Sequence, residues 1–267
     1  MELPEKLYKY EPFTDLTLKN LKRQSVYFAS PTGFNDPYDC AITLLIQDLS
    51  DEQINTLRQY YRDCQEITDE IGNEIERLPD EAFINMIERV VTDVFSEQTI
   101  KFRTANGITC LSETNDDLLM WAHYGGKYEG FCLEFDTRYE PFNNARKVKY
   151  SYSIPKINPL PCIINDDVEQ FLDLFCLKSK SWEYEKEWRI LHKAAGTPFT
   201  YPSEALTGIY FGPDIEPECL EIAALILGGQ NPSVKLYQGK RSSEYFKVEF
   251  EEVHYTPYIV AKKMGLR

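Results

Sequence analysis

The strongest restriction on the fold is a change of period. Short runs of aromatic and β-branched residues, each about one strand long, open the chain and return in its second half. Between them, residues 49–102 repeat at helical spacing. Ile54, Leu57, Tyr61 and Cys64 fall on one helix face, and Phe83, Met86, Ile87, Val90, Val91 and Phe95 on another. Ser50 with Gln53 forms a capping-box pattern ahead of the first helix. Strands are expected over residues 7–10, 25–30, 107–112, 130–136, 147–152, 181–192, 208–211, 234–237 and 246–254. Further helices are expected over 14–23, 116–124, 166–178 and 217–225. The order is no regular βαβ alternation. It predicts an α+β fold, with a mixed, mainly antiparallel sheet, flanking helices and a helical insertion over 48–104 within one domain of 1–267.

Charge narrows the partners. The chain carries 29 Lys and Arg against 43 Asp and Glu, a net of −14. Phosphate contacts dominate non-specific nucleic-acid affinity, so this balance disfavours a nucleic-acid partner. Residues 48–103 hold 14 acids and 6 bases, the solvated faces of the expected helices or a surface for a basic protein partner. No apolar run approaches the roughly 20 residues of a membrane span. The start, Met1-Glu2-Leu3-Pro4-Glu5-Lys6, has neither the basic opening nor the apolar stretch of a signal peptide. A cytoplasmic protein with no membrane contact is the expectation. The 7 Cys show no CxxC and no zinc spacing, and read as buried free thiols in a reducing compartment.

Four clusters carry candidate chemistry. In the first, Ser30 leads into Pro31-Thr32-Gly33-Phe34-Asn35-Asp36-Pro37-Tyr38-Asp39, a turn-rich corner that either fixes the fold or turns Ser30, Asn35 and Asp36 toward a ligand. The second is Trp121-Ala122-His123-Tyr124-Gly125-Gly126. There the aromatic stripe either packs into the core or, since paired glycines should stop the helix, leaves its last rings at a helix end where they can stack on a planar ligand. In the third, strand period over residues 182–189 places Trp182, Tyr184 and Trp188 on one face and Glu183, Glu185, Glu187 and Arg189 on the other. On a solvated face their repulsion is small and the cluster means little; lining a cleft, one Glu has a raised pKa or needs a cationic partner, for which Arg189 is the nearest candidate. The fourth, Gly208-Ile209-Tyr210-Phe211-Gly212-Pro213, is a strand-to-helix connection without a phosphate-binding glycine cradle. A hard-metal site from Asp36 and Asp39 with Glu113 or Asp116 is a further arrangement of the acids; no metal ligand is assigned.

As an ordered set these segments resemble a bacterial family of unknown function, DUF2971. The pieces that carry the resemblance are Leu7-Tyr8-Lys9-Tyr10, Phe28-Ala29-Ser30-Pro31, Phe34-Asn35-Asp36-Pro37-Tyr38-Asp39, Cys110-Leu111-Ser112, Trp121-Ala122-His123-Tyr124 with Gly130, and Trp182 through Glu185, Glu187 and Arg189. A more distant likeness, to ADP-ribosyltransferase-type domains, implies an NAD-dependent transferase acting in bacterial conflict or phage defence. It sets Lys9 or Tyr10 in an early-strand place, Ser30 in the next and Glu187 on the late strand, with Tyr27 or Tyr124 stacking on nicotinamide. On this reading Glu187, His123 and Arg189 are catalytic. Lys9, Tyr10, Tyr27, Ser30, Asn35, Asp36, Trp121 and Tyr124 bind the nucleotide. The competing expectations are a non-catalytic interaction module that docks a partner through the acidic helices, and a metal-dependent hydrolase or nuclease.

Overall fold

A computed structural model describes residues 2–39, 43–44, 49–64, 67–158 and 172–266. The chain divides into two compact units, Met1–Gly33 with Ala105–Val148 and Ser181–Arg267, and Phe34–Thr104 with Lys149–Lys180.

The first unit is built on an eight-stranded sheet. Its strands in chain order are β1 (Lys6–Glu11), β4 (Gly107–Ser112), β5 (Phe131–Asp136), β6 (Arg146–Lys147), β10 (Glu187–His192), β12 (Leu206–Phe211), β13 (Lys235–Arg241) and β14 (Val248–Val253). They lie side by side as β14-β13-β12-β5-β1-β4-β10-β6. Every pairing is antiparallel except β12 with β13. That parallel step is made through helix α6 (Pro217–Gln230), as a parallel connection requires. A separate antiparallel pair joins β2 (Ser25–Phe28) to β11 (Thr197–Thr200).

Period-two alternation gives the sheet two different faces. Leu7, Leu111, Phe131, Leu133, Phe135, Trp188, Ile190, Ile209 and Phe211 fill one, packed against Leu21 of α1 (Asp15–Arg23) and Ala223 and Leu227 of α6. Thr14 caps α1 in a capping box with Thr17. The opposite face carries Tyr10, Cys132 and Tyr210, covered by Met120 and Trp121 of α5 (Leu118–His123). Gly212 has a steric reason to be glycine. A Cβ there would sit 2.0 Å from the Tyr128 carbonyl, where the two backbones cross with Gly212 N–H donating to Gly130 O.

The second unit holds α2 (Asp51–Asp63), α3 (Asp69–Arg77) and α4 (Asp80–Ala105, whose last residue lies past the unit's bound). Ile54, Leu57, Ile75, Phe83, Ile87 and Val91 pack together as its core. Ser50 and Gln53 form the expected capping box. The expected insertion, 48–104, falls inside this unit, with segment 149–180 beside it in the same unit. Two parallel strand pairs complete it, β3 (Thr43–Leu44) with β8 (Lys156–Ile157) and β7 (Lys149–Ser151) with β9 (Leu177–Ser179).

Three expected elements differ. Residues 147–152 are two strands, β6 and β7, parted at buried Val148. Residues 181–192 are a 3-10 stretch, Lys180–Glu185, followed by β10, because Lys186 turns the chain with φ +44°. Of the helix expected over 166–178, residues 166–171 lie outside the described residues. Its end is a 3-10 turn, Leu174–Cys176, leading into β9. Strand β11 and helix α7 (Tyr258–Lys263) have no counterpart in the expected elements.

Candidate functional site

Helix α5 begins where the Asp117 carboxylate accepts the N–H groups of Leu119 and Met120. It stops at Tyr124, followed by Gly125 and by Gly126 with φ +59°. Trp121 is fully buried. Its indole N–H donates to Asn115 O at 2.7 Å and its ring meets Tyr10 edge-on at 5.2 Å. Trp121 is therefore part of the core, and no ligand can lie on it without opening that core. The surface at the helix end belongs to His123 and Tyr124. The exposed His123 ring lies 6.4 Å from both Trp182 and Tyr184 and 6.2 Å from Tyr124.

The acidic segment comes up beside this aromatic group. Half-buried Tyr124 donates its hydroxyl to Glu185 Oε1 at 2.6 Å. Ser112 of β4 anchors the same residue by donating to its carbonyl at 2.7 Å. The 3-10 stretch takes Glu183 and Glu185 off the strand, so the expected single face of acids reduces to Glu187 with Arg189. Glu183 is exposed, while Glu185 and Glu187 are both buried. Arg189, fully buried, donates Nε–H to Glu187 Oε1 at 2.8 Å and a terminal N–H to Oε2 at 3.0 Å. This two-pronged pairing is the geometry in which Arg meets a carboxylate best.

Strand register sorts the remaining candidates. Glu187 lies across from Ser112, which lies across from Tyr8, so this row shares one face. Tyr10, two residues on from Tyr8, is on that face too. Lys9 points to the other side, where its ammonium is 3.4 Å from Glu11. Tyr27, half-buried, lies opposite Pro198 in the β2–β11 pair. Ser30 Oγ shares a 2.7 Å hydrogen bond with Thr32. Asn35 and Asp36 belong to the second unit. There the buried Asp36 accepts the Tyr38 N–H at Oδ1, and among the described residues its Oδ2 has no hydrogen-bond partner. The structure thus gathers Tyr10, Trp121, His123, Tyr124, Glu187 and Arg189 on one face of the sheet and leaves Lys9 on the other.

The same face holds a group that the sequence reading passed over. Glu134 of β5 accepts Lys6 at 2.7 Å, Thr207 at 2.6 Å, Tyr210 at 2.7 Å and Tyr8 at 3.3 Å. Burial pushes its carboxyl upward, but the bonds from Lys6, Thr207 and Tyr210 outweigh that and hold it below the usual carboxylate range. Burial and the neighbouring Glu134 push the Tyr8 and Tyr210 hydroxyls up. Tyr210 stacks on Tyr237 at 4.4 Å. The available signal was a lone acid in the apolar run Phe131-Cys132-Leu133-Glu134-Phe135.

Among the described residues Cys64, Cys110, Cys132, Cys176 and Cys219 form no disulfide, and burial pushes the Cys132 thiol well up; Cys40 and Cys162 lie outside the described residues. Among the described residues, no three His, Cys, Asp or Glu side chains gather to hold a metal ion. Among them, too, no helix is long and apolar enough to cross a membrane.

Comparison with curated proteins finds no match, and comparison with solved structures finds none. Residues 120–190 match a family model described as "Protein of unknown function (DUF2971)". That stretch contains His123, Tyr124, Glu185, Glu187 and Arg189, and over it the resemblance read from the sequence is borne out.

Proposed function

We propose that this chain is a nucleotide-binding transferase of the ADP-ribosyltransferase kind, with NAD as its substrate and a role in bacterial conflict or phage defence. The observation that carries the reading is the meeting of the α5 end with the acidic segment, through the 2.6 Å bond from Tyr124 to Glu185 beside the exposed His123 ring. An exposed imidazole flanked by Trp182, Tyr184 and Tyr124 offers aromatic surface to a planar base. Carboxylates close by suit a reaction that develops positive charge.

In the proposed reaction the bond from the nicotinamide nitrogen to ribose C1′ breaks, and nicotinamide leaves with the bonding pair. The ribose becomes cationic and a carboxylate stabilises it. A nucleophilic atom of the acceptor then bonds to C1′ and releases its proton to solvent. Glu187 is the late-strand acid and Arg189 its positioning residue. Both Glu187 oxygens are bonded to Arg189, so one of those bonds must give way to the sugar. His123 and Tyr124 border the leaving nicotinamide.

The closed Glu187–Arg189 pair also favours a second reading, in which the pair is structural and the acidic helices of the second unit dock a basic partner. NAD labelled in its nicotinamide separates the two. Under the first reading the purified chain releases nicotinamide, Glu187→Gln lowers the rate by about a hundredfold or more, and Tyr124→Phe lowers it less. Circular dichroism checks that each variant is folded. Folded wild-type protein that neither binds nor cleaves NAD, or a folded Glu187→Gln variant with the wild-type rate, overturns the first reading.

A further inference from the structure

Helix α6 ends against a cavity of about 620 Å³ between its last turn and the β13–β14 edge. That volume is in the range of small-molecule sites. Its wall includes Gly228 and Gly229, and both call for an explanation. Each lies within the helix, where glycine is disfavoured, and neither has a positive φ. A Cβ added to either would meet nothing within 4 Å beyond the helix's own backbone. Neither backbone conformation nor packing therefore requires them. What their bare surface does is keep the cavity open.

The same turn exposes acceptors. Asn231 N–H closes the helix on Leu227 O at 2.7 Å, but the next carbonyl, Gly228 O, would need an N–H from residue 232, which is proline. Among the described residues, the carbonyls of Gly228, Gly229 and Gln230 receive no donor. They stand at the negative end of a 14-residue helix. Glu252 lines the cavity as well, and Leu225, Val234 and Val253 supply apolar wall. Lys235 also lines it, its ammonium 3.5 Å from Glu252.

We propose that this cavity binds a small organic cation, an ammonium or guanidinium head on an apolar body. The head donates to the uncovered carbonyls of the α6 end and the body lies across Gly228 and Gly229 against the apolar wall. The site is independent of NAD chemistry, so its test stands or falls separately.

The test titrates the full chain with hexylammonium, hexanol and hexanoate at matched ionic strength, followed by calorimetry and by melting temperature. Hexylammonium is expected to bind saturably, and hexanoate about tenfold or more weaker. The double variant Gly228→Leu/Gly229→Leu, which fills the cavity with good helix formers, is expected to lose hexylammonium binding by about tenfold or more while melting no lower than wild type. Three results overturn the proposal: no saturable binding of hexylammonium, hexanoate bound as well as hexylammonium, or a leucine-filled variant that still binds like wild type. The retained melting temperature keeps a lost site distinct from a lost fold.

Discussion

Replacing Arg189 with methionine is expected to lower stability by about 3–5 kcal/mol, read from the midpoint of urea unfolding at constant slope. The guanidinium is fully buried, and its partner Glu187 is nearly so. Removing it takes a charge partner from a carboxylate that water cannot reach. The cost lies more in that lost charge compensation than in the lost hydrogen bonds. Hence Glu187→Gln/Arg189→Met is expected to recover a substantial part of the loss. A double variant as unstable as the single one would show that Arg189 matters through other contacts. A single variant with wild-type stability would show that the pair is not buried as described.

Trp121→Ala is expected to cost about 3–5 kcal/mol, and Trp121→Phe clearly less. The indole fills the space between α5 and the sheet, against Tyr10 and Phe250, and its N–H satisfies Asn115 O. Alanine opens a cavity under the helix that carries His123 and Tyr124. The same change in a ligand-stacking tryptophan would weaken binding and leave unfolding unaltered. Equilibrium denaturation thus decides between a core residue and a nucleotide platform.

Much of the fold was legible because it follows from local chemistry. Thr14 and Ser50 mark their helix starts with side chains that cap them, and Gly125-Gly126 marks where α5 stops. Strands with clear alternation, such as β1 and β4, fall within a residue or two of their expected places. What failed was not local. The sequence 182–189 alternates like a strand, yet the left-handed turn at Lys186 divides it, and nothing in the side-chain pattern announces that turn. Strand β11 (Thr197–Thr200) contains a proline and pairs with β2, so its pairing depends on a contact remote in sequence.

The candidate site shows the same division. The aromatic helix end and the acidic segment were recognisable by composition, and Tyr124 with Glu185 joins them in space. Trp121 reads from the sequence as either core or binding surface, because an amphipathic stripe does not say which ring is covered; its full burial decides for the core. Lys9 and Tyr10 could not be separated until strand register assigned them to opposite faces. Glu134 does not stand out as a site because its four donors come from two strands, β1 and β12, and no spacing in the chain links them.

The central claim is that the α5 end and its neighbouring acids receive a nucleotide. The chain has 3 His, so imidazole NMR signals can be followed one by one. On titration with NAD, the ring signals of His123 are predicted to shift and saturate, while those of His254 stay in place. An unmoved His123 in folded protein under excess NAD would contradict the account.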